Sequence, residues 1–391
     1  MSKTQTDFSA IAKRHGVDLS QVKIPTIEAR LAALDQTLAR TDVPYPISPA
    51  EAAEYFRQAK AGETFRIGPF GEQTVDLQRY ANTQHYDQYT FEEHLSWACL
   101  IADQQHTKHE FACREYLEGE RLFEIGGNVI PDFYLLNARI YQQTQWQLAT
   151  VNMIIPAELF FTCHSRRFFP VTTFMRPLET DYLQEPDIGH DVAGHVATFT
   201  IPAVANVMKN HGVARDMIYA LRDQQVARAG SGDPAAIQRI HQEADQLLTY
   251  AGRIYWFMVE FGLVMQADQL RCFGAGILSS PGETTFSVTS PESNRVLIDP
   301  SRDEDLLRMA NTDYLISEYQ KTYFISKSFQ LLDTITPERV LHAAQTAMRL
   351  PDFTWREIVP GDHVVDVGSV AMSPNEKYYR LIAGQPMDEC L

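Results

Sequence analysis

The stretch Ile254-Tyr255-Trp256-Phe257-Met258-Val259-Glu260-Phe261-Gly262-Leu263-Val264 is apolar on every side of a helix apart from Glu260. A helix with no polar face has no side to turn to water, so it must lie inside the protein with other elements packed around it. The chain is long enough to build that surrounding body: 391 residues, 45% of them apolar, can bury a sizeable core as one large domain or two. Glu260 needs a partner, because a lone carboxylate in such a helix is costly unless paired or bound to a metal. The structural candidates are Arg253, seven residues back on the same face, or a distant lysine. The chemical candidate is a metal ion.

A second segment bears on that choice. Glu185-Pro186-Asp187-Ile188-Gly189-His190-Asp191-Val192-Ala193-Gly194-His195 places two histidines five apart, just after a proline and a potential N-cap, Asp187. At roughly 100° per residue an i, i+5 pair stands about 140° apart, against about 40° for the i, i+4 pair of zinc proteases, so a zinc hydrolase fits poorly. The two rings can still meet at one ion if His190 lies at an irregular opening of the helix. Otherwise each is a core or surface histidine satisfied by hydrogen bonds. Two imidazoles and one carboxylate form the facial triad of non-haem iron(II), which leaves positions open for O₂ and substrate and accounts for His190, His195 and Glu260 together.

Charge and cysteine usage narrow the class further. With 34 basic against 50 acidic residues, a net charge of −16, nucleic acid and anionic membrane surfaces are poor partners, and small-molecule chemistry fits better. Five dispersed cysteines without C-x-x-C pairing suggest neither a disulfide framework nor a thiolate metal site. No signal-peptide pattern opens the sequence, and the longest apolar stretch, Val151 to Phe161, is broken by Pro156 and Glu158. A cytoplasmic protein is expected.

Along the chain, residues 1–84 read as an accessory extension, with helical patterns around Ile27–Leu38 and Ala52–Ala59 and a turn-rich stretch, Gly62 to Gly71. Residues 85–333 are dominated by amphipathic helical patterns and form the expected catalytic domain, mainly α with small β elements. Residues 334–391 carry one more helix, Arg339 to Leu350, and then a hairpin across Trp355–Val370 with its turn at Pro360-Gly361-Asp362. No sustained heptad pattern predicts a coiled-coil tail, and the oligomeric state is left open.

The motifs Tyr182-Leu183-Gln184-Glu185-Pro186-Asp187-Ile188, His190-Asp191, Gly194-His195-Val196, Tyr255-Trp256, Val259-Glu260-Phe261-Gly262-Leu263 and Gly274-Ala275-Gly276-Ile277-Leu278-Ser279-Ser280 are long and ordered. In them the chain resembles the pterin-dependent aromatic amino acid hydroxylases, specifically the bacterial phenylalanine hydroxylase branch. Weaker matches run from Tyr89–Glu93 and Trp97 through Ile130-Pro131 to Tyr314, Gln320 and Tyr323–Phe329, so that roughly two-thirds of the chain is covered. The resemblance implies the corresponding catalytic fold. It also implies an aromatic amino acid and O₂ as substrates, with Fe(II) and a tetrahydropterin, either tetrahydrobiopterin or a bacterial equivalent, as cofactors.

Residue by residue, it implies that His190, His195 and Glu260 ligate iron. Asp187 and Ser279 match positions on the substrate side, where a hydrogen bond to imidazole fixes tautomer and orientation; Asp187 could alternatively serve only as a helix cap. Val151, Ile155 and Phe160 match the pterin loop, with Asp191 and Tyr255 closing that site; without the resemblance the 151–161 stretch reads equally as core. Arg176 matches the arginine that grips the amino acid carboxylate, the alternative being a surface salt bridge. Trp256 matches a wall of the aromatic pocket, with Phe261 near it, and Ile316 matches another wall.

This chain departs from the family pattern at several points. Met153 stands where glycine is frequent, and Pro170 and Leu183 differ from animal relatives. Gly189 replaces a larger residue and Ala197-Thr198 the usual Pro-Leu. An insertion of about two dozen residues is expected around Arg215 to Asp245, forming a helical hairpin about a Gly230-Ser231-Gly232-Asp233-Pro234 turn. Phenylalanine is the substrate expected first. The alternatives are a tryptophan or unusual-position hydroxylase, or a catalytically silent relative acting as a binding module.

Overall fold

The computed structural model describes residues 7–39, 80, 82–152, 154–178, 180, 185–230, 233–365 and, for the backbone, 379–381. The expected helix at Ala52–Ala59, the turn-rich Gly62–Gly71, Met153 and Leu183 lie outside these residues. The chain is mainly helical and divides into two compact units, residues 1–110, 115–155 and 168–200 forming the first and 111–114, 156–167 and 201–391 the second. Among the described residues no helix is long and apolar enough to cross a membrane.

In the first unit α1 (Phe8–Arg14) and α2 (Ile27–Leu38) precede three helices, α3 (Phe91–Phe111), α4 (Arg114–Phe123) and α5 (Phe133–Thr144). The first residue of α4 falls in the second unit by contact. Thr90 and Glu93 start α3 as a reciprocal capping box: the Thr90 N–H donates to the Glu93 carboxylate at 2.7 Å, and the Glu93 N–H to the Thr90 hydroxyl at 3.2 Å. Ile11, Ala12 and Val22 share a core with Leu95, Ala98 and Cys99 of α3. Arg30 on α2 is buried and donates to Asp132 at 2.6 Å and Asp87 at 2.8 Å, while Asp132 also caps α5. The N-terminal helices are therefore part of this unit's packing. Two strands, β1 (Gln147–Val151) and β2 (Phe168–Thr172), pair in parallel and set Val151 beside Thr172.

The second unit contains α6 (Ala157–Ser165) and the long pair α7 (Pro202–Ala229) and α8 (Pro234–Tyr255). The expected hairpin is this pair: Asp233 caps α8 and Pro234 occupies its first turn, and residues 220–229 and 233–243 are exposed or half-buried on both arms. Beyond them come β3 (Leu263–Gln266), β4 (Gln269–Cys272), α9 (Ala275–Leu278), α10 (Pro281–Thr289), β5 (Asn294–Ile298), α11 (Asp303–Ala310) and β6 (Thr322–Ser326). The unit ends with α12 (Phe329–Leu332), α13 (Pro337–Ala347), β7 (His363–Val365) and β8 (Tyr379–Leu381). The strands form one sheet in the order β4-β3-β6-β5-β7-β8, with β6 buried along its whole length between two parallel neighbours.

One expectation is corrected. Residues 354–362 contain no strand, so none leads into the Pro360-Gly361-Asp362 turn; His363–Val365 pairs antiparallel with β5 and β8, and residues 366–370 of the expected hairpin lie outside those described. The cause is Asp362, whose carboxylate accepts from the Arg308 guanidinium at 3.0 Å and from the Val359 N–H at 2.9 Å. That pins the turn to α11.

Candidate active site

Asp187 opens the metal-binding segment. Its carboxylate accepts the His190 N–H at 3.0 Å, the Arg176 N–H at 3.0 Å and the Arg176 guanidinium twice at 2.7 Å. Burial alone would raise this carboxyl; the Arg176 side chain and the backbone amides outweigh it and hold Asp187 below its ordinary range. The residue is thus cap and ion-pair partner at once. A single helical turn, Ile188–His190, then widens into a π-helical turn, Asp191–His195.

That widening answers the objection raised by the spacing. A turn built on i→i+5 bonds carries more residues than an α-turn, so side chains five apart come back toward one side. The Nε2 atoms of His190 and His195 are 3.3 Å apart. Two nitrogens about 2.1 Å from one ion and at right angles to each other would stand about 3 Å apart, so the pair fits a shared metal.

Glu260 ends a second π-helical turn, Trp256–Glu260, which continues α8. There the Phe261 N–H donates at 3.0 Å to the Trp256 carbonyl, five residues back. Arg253, the structural candidate for Glu260's partner, is engaged elsewhere, its guanidinium reaching Asp352 at 2.8 Å and Asp313 at 3.4 Å. His190 and His195, in the first unit, and Glu260, in the second, are the donor set that could hold a metal ion. Two neutral donors and one anionic oxygen suit a divalent first-row ion.

Other singled-out residues gather in smaller groups. Asp191 is buried and accepts the Thr172 N–H at 2.7 Å and the Thr172 hydroxyl at 2.9 Å; burial nevertheless pushes its carboxyl up to about 7. Because Val151 faces Thr172 across the strand pair, Asp191 and Val151 belong to one neighbourhood. Phe160 and Tyr255 meet edge to face at 5.7 Å, and the Tyr255 hydroxyl lies 3.3 Å from His164 Nε2, whose other ring nitrogen reaches the Phe160 carbonyl at 2.7 Å. Trp256 lies 4.8 Å from Phe261 and stacks on Tyr314 at 4.1 Å, while its indole N–H points to Gln320 Oε1 at 3.4 Å. The Ser279 hydroxyl donates to the Gly276 carbonyl at 3.1 Å, Ile155 is buried, and Ile316 is half exposed on the loop before β6. Where Gly189 lacks a side chain, Leu100 fills the space, 2.3 Å from an ideal Cβ position.

Four residues were not legible from the sequence: Thr172, His164, Lys108 of α3 and Tyr116 of α4. None of them belongs to a ligand-like pattern, and only tertiary packing brings them to the site. Tyr314 and Gln320 carried a signal, as matched residues without an assigned role.

Two converging imidazoles with a buried carboxylate, in a mainly helical protein, define a candidate mononuclear metal centre. The chain belongs to the biopterin-dependent aromatic amino acid hydroxylases, whose sequence profile matches residues 74–228 and 240–338 and is interrupted at the tip of the α7/α8 hairpin. It is 34% identical over 297 residues to phenylalanine-4-hydroxylase of Chromobacterium violaceum, covering 75% of this chain and 89% of that one. A crystal structure of phenylalanine hydroxylase from that organism with bound iron(III) and 7,8-dihydrobiopterin is similar with a TM-score of 0.61 at 30% identity. The likeness covers 83% of this chain and all of that one. Its iron- and phenylalanine-bound form is similar with a TM-score of 0.62 at 30% identity, over 79% of this chain and 99% of that one.

Proposed function

We propose that the chain hydroxylates the ring of an aromatic amino acid, phenylalanine first among them, with O₂ and a tetrahydropterin at an iron(II) ion held by His190, His195 and Glu260. The observation that carries this reading is the meeting of the His190 and His195 rings, with a buried carboxylate at Glu260, in a chain of this family. When bound, the iron and the pterin together supply the activation of O₂. The protein's part is to hold the reactants in order and keep water from them. In this reading Arg176, held by Asp187, anchors the substrate carboxylate, while Trp256, Phe261 and Ile316 give the ring apolar walls and Ser279 steadies the substrate side. Val151, Ile155, Phe160, Asp191 and Tyr255 receive the pterin, with the Phe160 and Tyr255 rings offering faces to a flat heterocycle. Phenylalanine is favoured because these walls offer no group suited to a phenol hydroxyl, and the Trp256 N–H is already directed at Gln320.

The same reading assigns catalysis to residues 85–333, an accessory role to 1–84 and a closing helix and strands to 334–391. It places the protein in the cytoplasm, in keeping with the absence of any disulfide among the described cysteines, Cys99, Cys113, Cys163 and Cys272. The test is product analysis by mass spectrometry with phenylalanine, tyrosine and tryptophan at equal concentration, with and without tetrahydropterin, alongside iron analysis of the Glu260→Ala chain after anaerobic reconstitution. Hydroxyphenylalanine as the main pterin-dependent product and loss of iron from Glu260→Ala are expected. Hydroxytryptophan as main product would overturn the substrate, and full iron retention would remove Glu260 from the site.

A further inference from the structure

The carbonyl oxygen of Ala193 lies inside the π-helical turn that joins His190 to His195, at the passage into a 3₁₀ turn, Val196–Thr200. Where a helix changes pitch, its i→i+4 ladder is interrupted and carbonyls depend on outside donors. Two side chains aim at this one oxygen. The Lys108 ammonium donates to it at 2.9 Å, and the Tyr116 hydroxyl donates to it as well. Lys108 is 1% exposed and its second partner is Glu120 at 2.5 Å, on the same face of α4 as Tyr116. Gly119 between them lets α4 come within 2.5 Å, measured from an ideal Cβ, of the Ala197 carbonyl.

A buried lysine and glutamate are an expensive way to hold two helices together. Desolvation costs several kcal/mol per ion, and apolar residues of the same volume often serve stability as well or better. What an apolar pair cannot do is donate to a carbonyl. We infer that Lys108, Tyr116 and Glu120 are positioning residues for the metal centre: Glu120 aims the Lys108 ammonium, and the two donors fix the Ala193 carbonyl and with it the pitch of the turn that brings His190 and His195 together. This rests on the reading of those histidines as metal ligands. It assigns the set of metal affinity and imidazole orientation to residues that touch neither metal nor substrate. Groups that orient metal ligands at one remove are typically worth about 10- to 100-fold in metal affinity.

The experiment uses the full chain, stripped by chelator and titrated with Co(II), followed by visible absorption. Tyr116→Phe removes one donor without changing shape. Because Lys108→Met alone would strand a buried carboxylate, the second variant is Lys108→Met with Glu120→Met, which removes the ammonium and keeps the core apolar. Arg30→Met, which breaks a different buried ion pair of the same unit, controls for general loss of stability. One Co(II) per wild-type chain is expected, with about tenfold weaker binding and shifted absorption bands in Tyr116→Phe, a larger loss in the double variant, and native affinity in Arg30→Met. Native affinity and bands in both clamp variants, or an equal loss in Arg30→Met, would overturn the inference. A wild-type chain that takes up no Co(II) would instead overturn the metal reading beneath it, and is seen before any variant is made.

Discussion

The two π-helical turns, Asp191–His195 and Trp256–Glu260, do the same thing by different means. Each swings a candidate ligand out of a regular helical path, and each must settle the backbone groups that the wider turn disturbs. The first is surrounded by side-chain donors: Lys108 and Tyr116 on the Ala193 carbonyl, Thr198 on the His195 carbonyl at 2.6 Å, Thr172 on Asp191. The second is wrapped in rings and backbone. Phe257 meets Phe324 edge-on at 4.9 Å, Met258 and Val259 are fully buried, and the Glu260 carbonyl is approached directly by Gly274. A turn held by side-chain tips has partners that can move when crowded, whereas one held by neighbouring backbone has none. The surroundings of the first should therefore accommodate a small addition of volume that those of the second do not, although loss of one of its donors is another matter.

Gly274→Ala is the sharpest way to break this contrast. A Cβ there would sit 2.4 Å from the Glu260 oxygen and 2.5 Å from the Gly262 nitrogen, both backbone atoms. Neither can rotate away, so overpacking should cost about 3 kcal/mol or more. Since the displaced atom belongs to Glu260 itself, Co(II) binding should weaken along with stability. Urea unfolding and the metal titration read both, and a Gly274→Ala chain of native stability would show that the second turn is no stiffer than the first.

The surroundings of the second turn also contain one titrating support. Glu283 on α10 accepts the Gln320 N–H at 3.0 Å and the Tyr323 hydroxyl at 2.9 Å, and Gln320 in turn accepts from Trp256. Burial pushes the Glu283 carboxyl from 4.5 up to about 7, so between those values the folded chain holds a proton that the unfolded chain has lost. The stabilising contribution is complete below pH 4.5 and is lost as pH rises through 7, amounting to about 3 kcal/mol. Glu283→Gln keeps the acceptor without the titration. The stability difference between the two chains, followed from pH 4.5 to 8, should therefore change in favour of Glu283→Gln as pH rises; parallel profiles would mean that Glu283 does not titrate there.

The sequence made the donors legible and left the geometry hidden. His190, His195 and Glu260 stand out by chemical type, and Glu260 stands out further because nothing else around it in the helix is polar. The π-helical turns were not readable, since pitch is decided by what packs around a helix: the five-residue spacing looked like an obstacle until the turn was seen. Lys108 sits in a helix of mixed polarity and reads as a solvated face, because its burial depends on α4. Gly274 was visible as part of a motif, but the reason for it, a backbone brought against Glu260, is tertiary. The small β elements were expected, but their individual strands were not placed, for a related reason. They span three to five residues, and β3, β5 and β6 pair across intervening helices, so no local alternation announces them. The hairpin of α7 and α8 was legible because its turn chemistry is local.

The smallest expected effect falls just beyond the first turn, where α4 comes closest to the 3₁₀ turn Val196–Thr200 that follows it. A Cβ on Gly119 would meet the Ala197 carbonyl at 2.5 Å and the Thr200 hydroxyl at 2.6 Å. The hydroxyl belongs to a side chain that can rotate, giving up its 2.8 Å bond to the Ala197 carbonyl, which leaves that one carbonyl group, its oxygen at 2.5 Å and its carbon at 3.1 Å, to relieve by a shift of α4. Overpacking of this kind costs about 1 to 3 kcal/mol. Gly119 also lies in the interior of α4, where alanine is about 1 kcal/mol better than glycine in helix propensity, a gain that Gly274 at the cap of α9 cannot collect. Gly119→Ala should therefore lose only about 1 kcal/mol, well short of Gly274→Ala. Paired urea denaturation of the two variants compares them directly. A loss at Gly119 equal to or greater than that at Gly274 would mean that the backbone leading out of the first turn is held as rigidly as that around the second, and the contrast between the two surroundings would fail.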